Sequence, residues 1–143
     1  MRLQLALNVD NLDEAIEFYS KMFAAEPAKV RPGYANFAIA DPPLKLVLFE
    51  GAGAAGSINH LGVETETAAE VLEAEDRLRA QGLTTTGVAD TTCCFADKTE
   101  TWLHGPDSTR WEWYVKRADS ESRDAMVLTD VAASSCCPTG ACN

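Results

Sequence analysis

The sequence predicts an α+β fold in which two βαβββ modules form a curved mixed sheet around a cavity. Residues 3–9 alternate apolar and polar side chains, as a half-buried strand does. Residues 12–24 then carry apolar side chains at helical spacing. After a segment of glycine, alanine and serine at 51–57, the same order of strand, helix and further strands recurs. The second half therefore repeats the pattern of the first.

The first module, about residues 1–50, continues with three strands after its helix. Pro27 and Gly33 mark breaks around a weak strand. Clearer strands are predicted at 34–40 and 44–50, where apolar residues dominate. The segment 51–57 is predicted to be a flexible linker because of its composition.

The second module, about residues 58–117, completes one domain that spans 1–117. It begins with a strand at 58–64 and a helix at 67–81, which Gly82 caps. Four strand-like stretches follow, at 84–88, 92–96, 101–104 and 110–115. From Ala118 onward large apolar residues are few, which predicts a flexible tail over 118–143 that contains cysteines.

The charge balance excludes two classes of partner. The 143 residues include 12 Lys and Arg against 22 Asp and Glu, a formal net charge of −10. Nucleic acids and anionic membranes require a basic surface, so we expect neither as a partner. No apolar run approaches the roughly 18 residues of a membrane-spanning helix. The first ten residues alternate like a strand and lack signal-peptide features, so we expect the mature protein to begin there and to work in the cytoplasm.

The cysteines do not fit a common framework. There are five, and four of them form two adjacent pairs, whereas CxxC spacings typical of zinc and thioredoxin sites are absent. In a reducing cytoplasm, cysteines are expected to bind metals or substrates, or to act in catalysis, rather than to form structural disulfides. The pairs are Cys93 with Cys94 and Cys136 with Cys137, and Cys142 follows the second pair.

Three polar residues are predicted to face the cavity. Gln4 lies on the polar face of the first strand, and His60 lies at the matching place in the first strand of the second module. Glu112 stands between Trp111 and Trp113 in the last strand, so alternation turns it away from the helix side. Each alone has an ordinary structural explanation, as a solvated or hydrogen-bonded side chain. Their combination on repeat-related strands favours a metal site.

This layout resembles the vicinal oxygen chelate superfamily, which includes glyoxalase I, extradiol dioxygenases and bleomycin-binding proteins. The resemblance implies metal ligands at Gln4, His60 and Glu112. Glyoxalase I adds a fourth ligand, a glutamate, where this sequence has Lys45, which weighs against glyoxalase chemistry. Glu50 is the nearest acid to that position, but it lies at a strand end.

A narrower resemblance, to carbon–arsenic lyases and their cadmium-induced relatives, rests on three blocks at 32–48, 59–64 and 91–96. It implies a non-haem Fe(II) dioxygenase that uses O2 to cleave trivalent organoarsenicals such as methylarsenite, releasing arsenite. It also implies a substrate site at Cys93 and Cys94. Dimers are common on the vicinal oxygen chelate scaffold, so the wider resemblance implies a homodimer. Two thiolates suit a soft arsenic centre with two exchangeable positions.

Adjacent residues of a regular strand face opposite sides, so both sulfurs can reach one arsenic atom only if the backbone bends. The polar residues 97–100 are expected to supply a turn. The alternative is that one thiol is buried and the other exposed. The tail cysteines Cys136, Cys137 and Cys142 are candidates for arsenical delivery, or they are inert. No general base is evident, and His104 is expected in a surface turn.

Two other functions remain open at this point. One is a thiol-based cadmium- or arsenic-binding resistance protein without turnover. The other is a glyoxalase-like or thiol-transferring enzyme on the same scaffold.

Overall fold

The computed structural model describes residues 1–123 and 126–127. The described chain contains two compact units, one of residues 2–61 and one of Met1 with the residues from Gly62 onward. Each module follows the order βαβββ, so the predicted α+β fold of two repeated modules is confirmed. Neither helix has the length and apolar character needed to cross a bilayer, within the part of the chain that the structure describes.

The first unit is a mixed sheet covered by one helix. Strand β1 is parallel to β4, whereas β2–β3 and β3–β4 are antiparallel, which gives the order β2-β3-β4-β1. Gln4 on β1 stands opposite Lys45 on β4 in this register. The elements are β1 (Arg2–Val9), α1 (Leu12–Phe23), β2 (Lys29–Arg31), β3 (Tyr34–Ile39) and β4 (Leu44–Glu50).

Helix α1 begins and ends where the sequence predicts. The side chain of Asn11 caps its first turn by accepting a hydrogen bond from the Glu14 amide at 3.1 Å. The Glu50 carboxylate accepts a second one from the Leu12 amide at 2.7 Å, so Glu50 serves the helix terminus. Ala24 adopts a left-handed conformation and ends the helix.

The apolar core of this unit lies between α1 and the sheet. Leu3 is an exception to the predicted apolar face of β1, because it is 57% exposed. The buried core residues are Leu12, Ala35, Phe37, Ile39, Leu46 and Leu48, and Leu5, Leu7 and Val9 of β1 pack against them.

The segment 51–57, predicted to be a linker, is hydrogen-bonded to β1. The Asn8 amide donates to the Ser57 carbonyl at 2.9 Å, and the Asn8 carbonyl accepts from the Gly56 amide at 2.8 Å. A Cβ atom at Gly53 would lie 2.7 Å from the Asn8 side-chain nitrogen. Glycine at this position therefore permits the segment to lie directly on Asn8.

The second unit has an antiparallel sheet in the order β8-β7-β6-β9. A short 3₁₀ turn at Pro106–Ser108 joins β7 to β8. Helix α2 starts with a capping box between Thr67 and Glu70, and Gly82 follows its last turn at positive φ, as predicted. The elements are β5 (Ile58–Glu64), which begins in the first unit, α2 (Ala68–Ala80), β6 (Ala89–Cys93), β7 (Ala96–His104), β8 (Arg110–Asp119) and β9 (Met126–Val127).

Three predictions for the middle of this module were wrong. The segment 84–88 forms only an isolated bridge, between Thr85 and Leu103. The segment 92–96 is not one strand, because β6 ends at Cys93 and β7 begins at Ala96. The polar residues 97–100 lie inside β7 rather than in a turn. Polar residues fit this strand because neighbouring elements satisfy them. The Thr99 hydroxyl, for example, donates to Asp90 on β6 at 2.6 Å.

The first residues of the predicted tail, Ala118 and Asp119, lie in strand β8. Strand β8 continues to Asp119, four residues beyond its predicted end, and residues 126–127 pair with β6. Small polar residues suggested a tail, but backbone hydrogen bonds do not depend on side-chain type. Cys136, Cys137 and Cys142 lie outside the described residues.

A buried carboxylate attaches α2 to its sheet. Glu75 is 5% exposed and accepts hydrogen bonds from the hydroxyls of Thr101 at 2.7 Å and Thr85 at 2.6 Å. On the same side of the sheet, the Arg77 guanidinium of α2 lies 5.3 Å from the ring centre of Trp113. Trp113 therefore faces the helix, as the alternation of β8 predicted.

We expect Thr101→Val to lower the free energy of unfolding by about 1–3 kcal/mol, because it leaves a buried oxygen of Glu75 without its donor. Urea unfolding measures this change. Thr84→Val, at an exposed position, is the matched control. Equal stability of the two variants would contradict the role given to this hydrogen bond.

Candidate substrate and metal site

Cys94 and Phe95 form a two-residue turn in a left-handed backbone conformation. Cys93 ends β6 and pairs with Ala96, the first residue of β7, so only these two residues join the strands. Their φ angles are 53° and 63°. Hairpins with positive φ at both central residues normally use Asn-Gly, because a side chain costs roughly 1–2 kcal/mol per residue there. Strain of this kind is frequent at functional sites.

The segment that follows β8 holds this turn through its backbone. The amides of Cys94 and Phe95 donate to the carbonyls of Arg123 at 3.1 Å and Ser122 at 2.9 Å. The Phe95 carbonyl accepts from the Ser120 amide at 3.0 Å. These three bonds offset the cost of the turn and satisfy backbone groups that are buried with it.

The turn brings the two cysteine sulfurs together. Their Sγ atoms are 2.9 Å apart, and the residues are 1% and 8% exposed. The alternative of one buried and one exposed thiol was therefore wrong. Cys94 carries a thiol, whereas Cys93 is disulfide-bonded, which differs from the expectation of reduced cysteines. A ligand that needs both sulfurs requires Cys93 to be reduced first.

The Cys94 thiol is protonated at neutral pH. Burial raises its pKa from 9.0 to about 11, although the nearby Lys98 ammonium acts in the opposite direction. A ligand that removes the proton on binding would thus suit this thiol better than one that needs a ready thiolate.

Glu112 belongs to a buried cluster of charges. It is 0% exposed, and its carboxylate accepts a hydrogen bond from the Lys98 ammonium at 2.6 Å. Lys98 also lies 3.7 Å from Glu100 and 4.9 Å from the ring centre of Tyr114. Although burial opposes its charge, the carboxylates of Glu112 and Glu100 raise the pKa of Lys98. Burial raises the pKa of Glu100 to about 7, against the lowering by Lys98.

Strand register places these charges on one face. Trp102 stands opposite Glu112, and Glu100 stands opposite Tyr114, in the pairing of β7 with β8. Side chains two residues apart share a face, so Lys98 lies on the same side as Glu112. Lys98 and Glu100 are not evident as site residues from the sequence, because residues 97–100 predict a turn, where no alternation applies.

Gln4 and His60 meet in the first unit. Both are buried, at 4% and 5% exposed, and the Gln4 amide nitrogen lies 2.9 Å from His60 Nε2. The opposite nitrogen of the imidazole, Nδ1, lies 2.8 Å from the Asn59 side-chain oxygen. The Phe49 ring centre is 6.2 Å from the imidazole centre. Both ring nitrogens of the imidazole thus make hydrogen bonds, and the Phe49 ring packs nearby.

The structure brings two of the three predicted metal ligands, Gln4 and His60, into contact, and Glu112 lies in the second unit. No cluster of three His, Cys, Asp or Glu side chains suited to a metal ion occurs within residues 1–123 and 126–127. His104 is exposed, as expected, but it is the last residue of strand β7 rather than part of a turn.

Comparison with known proteins identifies the family. The model of the Glyoxalase/Bleomycin resistance protein/Dioxygenase superfamily matches residues 3–112. The chain belongs to this superfamily. The sequence resemblance to the vicinal oxygen chelate superfamily, another name for the same group, is therefore confirmed.

Two curated relatives are similar along almost the whole chain. Cadmium-induced protein CadI of Mycobacterium tuberculosis (strain ATCC 25618 / H37Rv) is 53% identical over 140 residues, which are 95% of this chain and 92% of that protein. The trivalent organoarsenical cleaving enzyme of Thermomonospora curvata is 51% identical over 137 residues, which are 95% of this chain and 87% of that protein.

A solved glyoxalase structure shows the same fold at low identity. The Mn(II)-bound glyoxalase of Novosphingobium aromaticivorans superposes with a TM-score of 0.60 at 15% identity, covering 85% of this chain and 40% of that one. Its resemblance supports the fold alone.

We expect Glu100→Gln to stabilise the protein above about pH 7. The pKa of Glu100 is about 7 when folded against 4.5 for the ordinary group, so the unfolded state ionises first as the pH rises. Stability is therefore lost between these two values in the wild type, and Gln, which cannot ionise, avoids the loss. Urea unfolding at several pH values measures the difference.

Glu73→Gln, at an exposed position of α2, is the control for this experiment. Near pH 5 the Glu100→Gln variant and the wild type should differ less than at pH 8. A variant that is less stable than the wild type at pH 8 would contradict the raised pKa.

Proposed function

We propose that this chain is a non-haem Fe(II)-dependent dioxygenase that cleaves the carbon–arsenic bond of trivalent organoarsenicals, such as methylarsenite, and releases arsenite. The observation that carries the proposal is the pair of buried sulfurs of Cys93 and Cys94, 2.9 Å apart on a left-handed turn. Identity of 51% with a protein named as a trivalent organoarsenical cleaving enzyme supports the same substrate class.

The chemistry of the turn suits a trivalent arsenical that carries two hydroxyl groups. Each thiol gives its proton to one hydroxyl, which leaves as water while a sulfur–arsenic bond forms. The proton is thus consumed in the exchange, so a neutral thiol such as Cys94 with a pKa of about 11 is a suitable partner. The third substituent of arsenic, the organic group, remains attached for cleavage.

Iron is proposed to be held by Gln4, His60 and Glu112. These side chains offer an amide oxygen, an imidazole nitrogen and a carboxylate, a set of donors that suits first-row divalent metals with open positions. Nε2 of His60 already acts as an acceptor, towards the Gln4 amide. To hold iron through oxygen, the Gln4 amide would have to rotate away from its present contact with His60, and Glu112 would share its carboxylate with Lys98.

When bound, Fe(II) supplies the activation of O2. The residues of the turn hold arsenic, and burial of Cys93 and Cys94 keeps bulk water from the sulfur–arsenic bonds. For methylarsenite, one O2 balances the reaction if the methyl carbon leaves as formaldehyde and arsenic leaves as arsenite. No further reductant is needed for this stoichiometry.

We expect Cys93→Ser and Cys94→Ser each to weaken methylarsenite binding by about 100-fold or more, because one sulfur loses the advantage of a chelate. Calorimetry on reduced, anaerobic protein measures the affinity, and arsenite release after addition of Fe(II) and O2 measures turnover. Thr92→Ser, which alters the neighbouring residue and keeps both sulfurs, is the control.

Arsenite release that survives the loss of both cysteines would overturn the proposal. That outcome would favour a glyoxalase-like or thiol-transferring enzyme. Release of formaldehyde and arsenite in equal amounts, with both products lost in His60→Ala, would support the proposed dioxygenase.

Binding should also depend on reduction of Cys93. Protein kept without a reductant should bind less methylarsenite than protein treated with a phosphine, since a disulfide sulfur does not exchange with arsenic hydroxyls. Titration of bound arsenic per chain measures the difference. Equal binding in both states would show that Cys93 is not a ligand.

A second candidate function is sequestration of cadmium or arsenic by thiols without turnover. Identity of 53% with proteins named cadmium-induced protein CadI favours it. Tight binding of cadmium or methylarsenite without arsenite release, in protein loaded with Fe(II) and given O2, would support sequestration instead of cleavage.

Delivery of arsenicals by Cys136, Cys137 and Cys142 stays a prediction. Its test requires a truncation that keeps the contacts of Ser120 to Arg123 with the turn, so the chain should end after Val127 rather than after Arg117. Unchanged kinetics at low substrate concentration would contradict delivery. Homodimer formation and a cytoplasmic location also stay predictions.

A further inference from the structure

A chain of four hydrogen bonds leads from the segment 51–57 to the imidazole of His60. The Ser57 hydroxyl donates to the Ala54 carbonyl at 2.5 Å, and the Asn8 side-chain amide lies 2.9 Å from the Ser57 hydroxyl. The Asn59 amide lies 3.0 Å from the Asn8 side-chain oxygen, and the Asn59 oxygen lies 2.8 Å from His60 Nδ1. All of these residues belong to the first unit.

The direction of every link is fixed by the carbonyl of Ala54. A carbonyl only accepts, so the single hydroxyl hydrogen of Ser57 points to it, and the Ser57 oxygen accepts from the Asn8 NH₂ group. The Asn8 oxygen is then turned towards Asn59 and accepts from its NH₂ group. The Asn59 oxygen therefore faces His60, and Nδ1 of His60 carries the hydrogen.

The contact at the other ring nitrogen, Nε2, is consistent with a hydrogen on Nδ1. Nε2 of His60 lies 2.9 Å from the Gln4 amide nitrogen, which is a donor. A neutral imidazole with its hydrogen on Nδ1 presents a lone pair at Nε2, as this contact requires.

We propose that Asn59 is a positioning residue that fixes the Nδ1–H tautomer and the ring orientation of His60, so that Nε2 offers its lone pair to a divalent metal ion. The segment 51–57 sets the polarity of this arrangement through Ser57 and Asn8. The metal half of the inference rests on the proposed function; the tautomer half does not. Outer hydrogen-bond partners of this kind change metal affinity by about 10–100-fold.

The tautomer can be measured without any metal. The chain contains only two histidines, so ¹H–¹⁵N correlation spectra of the metal-free, full-length protein at about pH 8.5, above the ordinary imidazole pKa, resolve both rings. His104→Gln assigns the signals of His60. We expect the Nδ1–H form in the wild type, a shift towards Nε2–H in Asn59→Leu, and retention of Nδ1–H in Asn59→Asp, which keeps the oxygen acceptor.

Two further variants separate positioning from general damage to the fold. Asn36→Leu also removes a partly buried asparagine of the first unit, one that donates to the Tyr34 hydroxyl at 2.8 Å, and should leave the His60 tautomer unchanged. Ser57→Ala removes the hydroxyl at the end of the hydrogen-bond chain remote from His60, and Ser57 is not bonded to the imidazole. This variant should weaken the preference for Nδ1–H. A wild-type tautomer in Asn59→Leu would overturn the inference.

Anaerobic titration with Fe(II), and with Co(II) as a spectroscopic probe, tests the metal half. We expect Asn59→Leu to bind about 10–100-fold more weakly than the wild type and Asn59→Asp to bind at least as well. Unchanged affinity of a variant whose tautomer has shifted would overturn the role towards metal. A wild type that binds neither ion, yet shows the predicted tautomer, would overturn the proposed iron site and leave the role of Asn59 towards His60 standing.

Discussion

The left-handed backbone at Cys94 and Phe95 is the constraint on which the candidate substrate site depends. In a continued strand the two cysteines would point to opposite faces, and no single atom could contact both sulfurs. The reversal of direction after Cys93 removes this obstacle at the cost of two unfavourable backbone conformations. Carbonyls and an amide from the segment after β8 compensate. The left-handed turn therefore costs folding free energy, and it lies where binding of one arsenic atom by two thiols would require the sulfurs to be close together.

Three other buried polar side chains have hydrogen-bond partners with defined donors and acceptors. Glu75 takes two hydroxyl donors, Glu112 takes the ammonium of Lys98, and His60 is held between two amides. Such groups are costly to bury unless each partner is present, so their arrangement determines a unique interior. In the second unit the ammonium of Lys98 lies beside the carboxylates of Glu112 and Glu100. Glu100 is readily protonated, because its pKa is raised to about 7.

Much of the fold follows from the sequence because periodicity and caps are local signals. Both helices, β1 and the strands of the first module are predicted within a few residues, since alternation or helical spacing extends over their whole length. The hairpin of β6 and β7 is missed because Cys-Phe is not a recognisable turn pair and because polar residues 97–100 gain their partners from other strands. The partnership of Asn8 with Asn59 is invisible for a similar reason, since 51 residues separate them.

The hydrogen bonds that hold the turn of Cys94 and Phe95 come from main-chain atoms of the segment after β8. Carbonyls of Ser122 and Arg123 are present whatever side chains stand there, so a substitution at either position leaves these two acceptors in place. A residue without an amide hydrogen at position 120, or a change in the length of the stretch, would break these backbone bonds. A stretch with the composition of a tail can thus shape a candidate site through its length and its amide hydrogens.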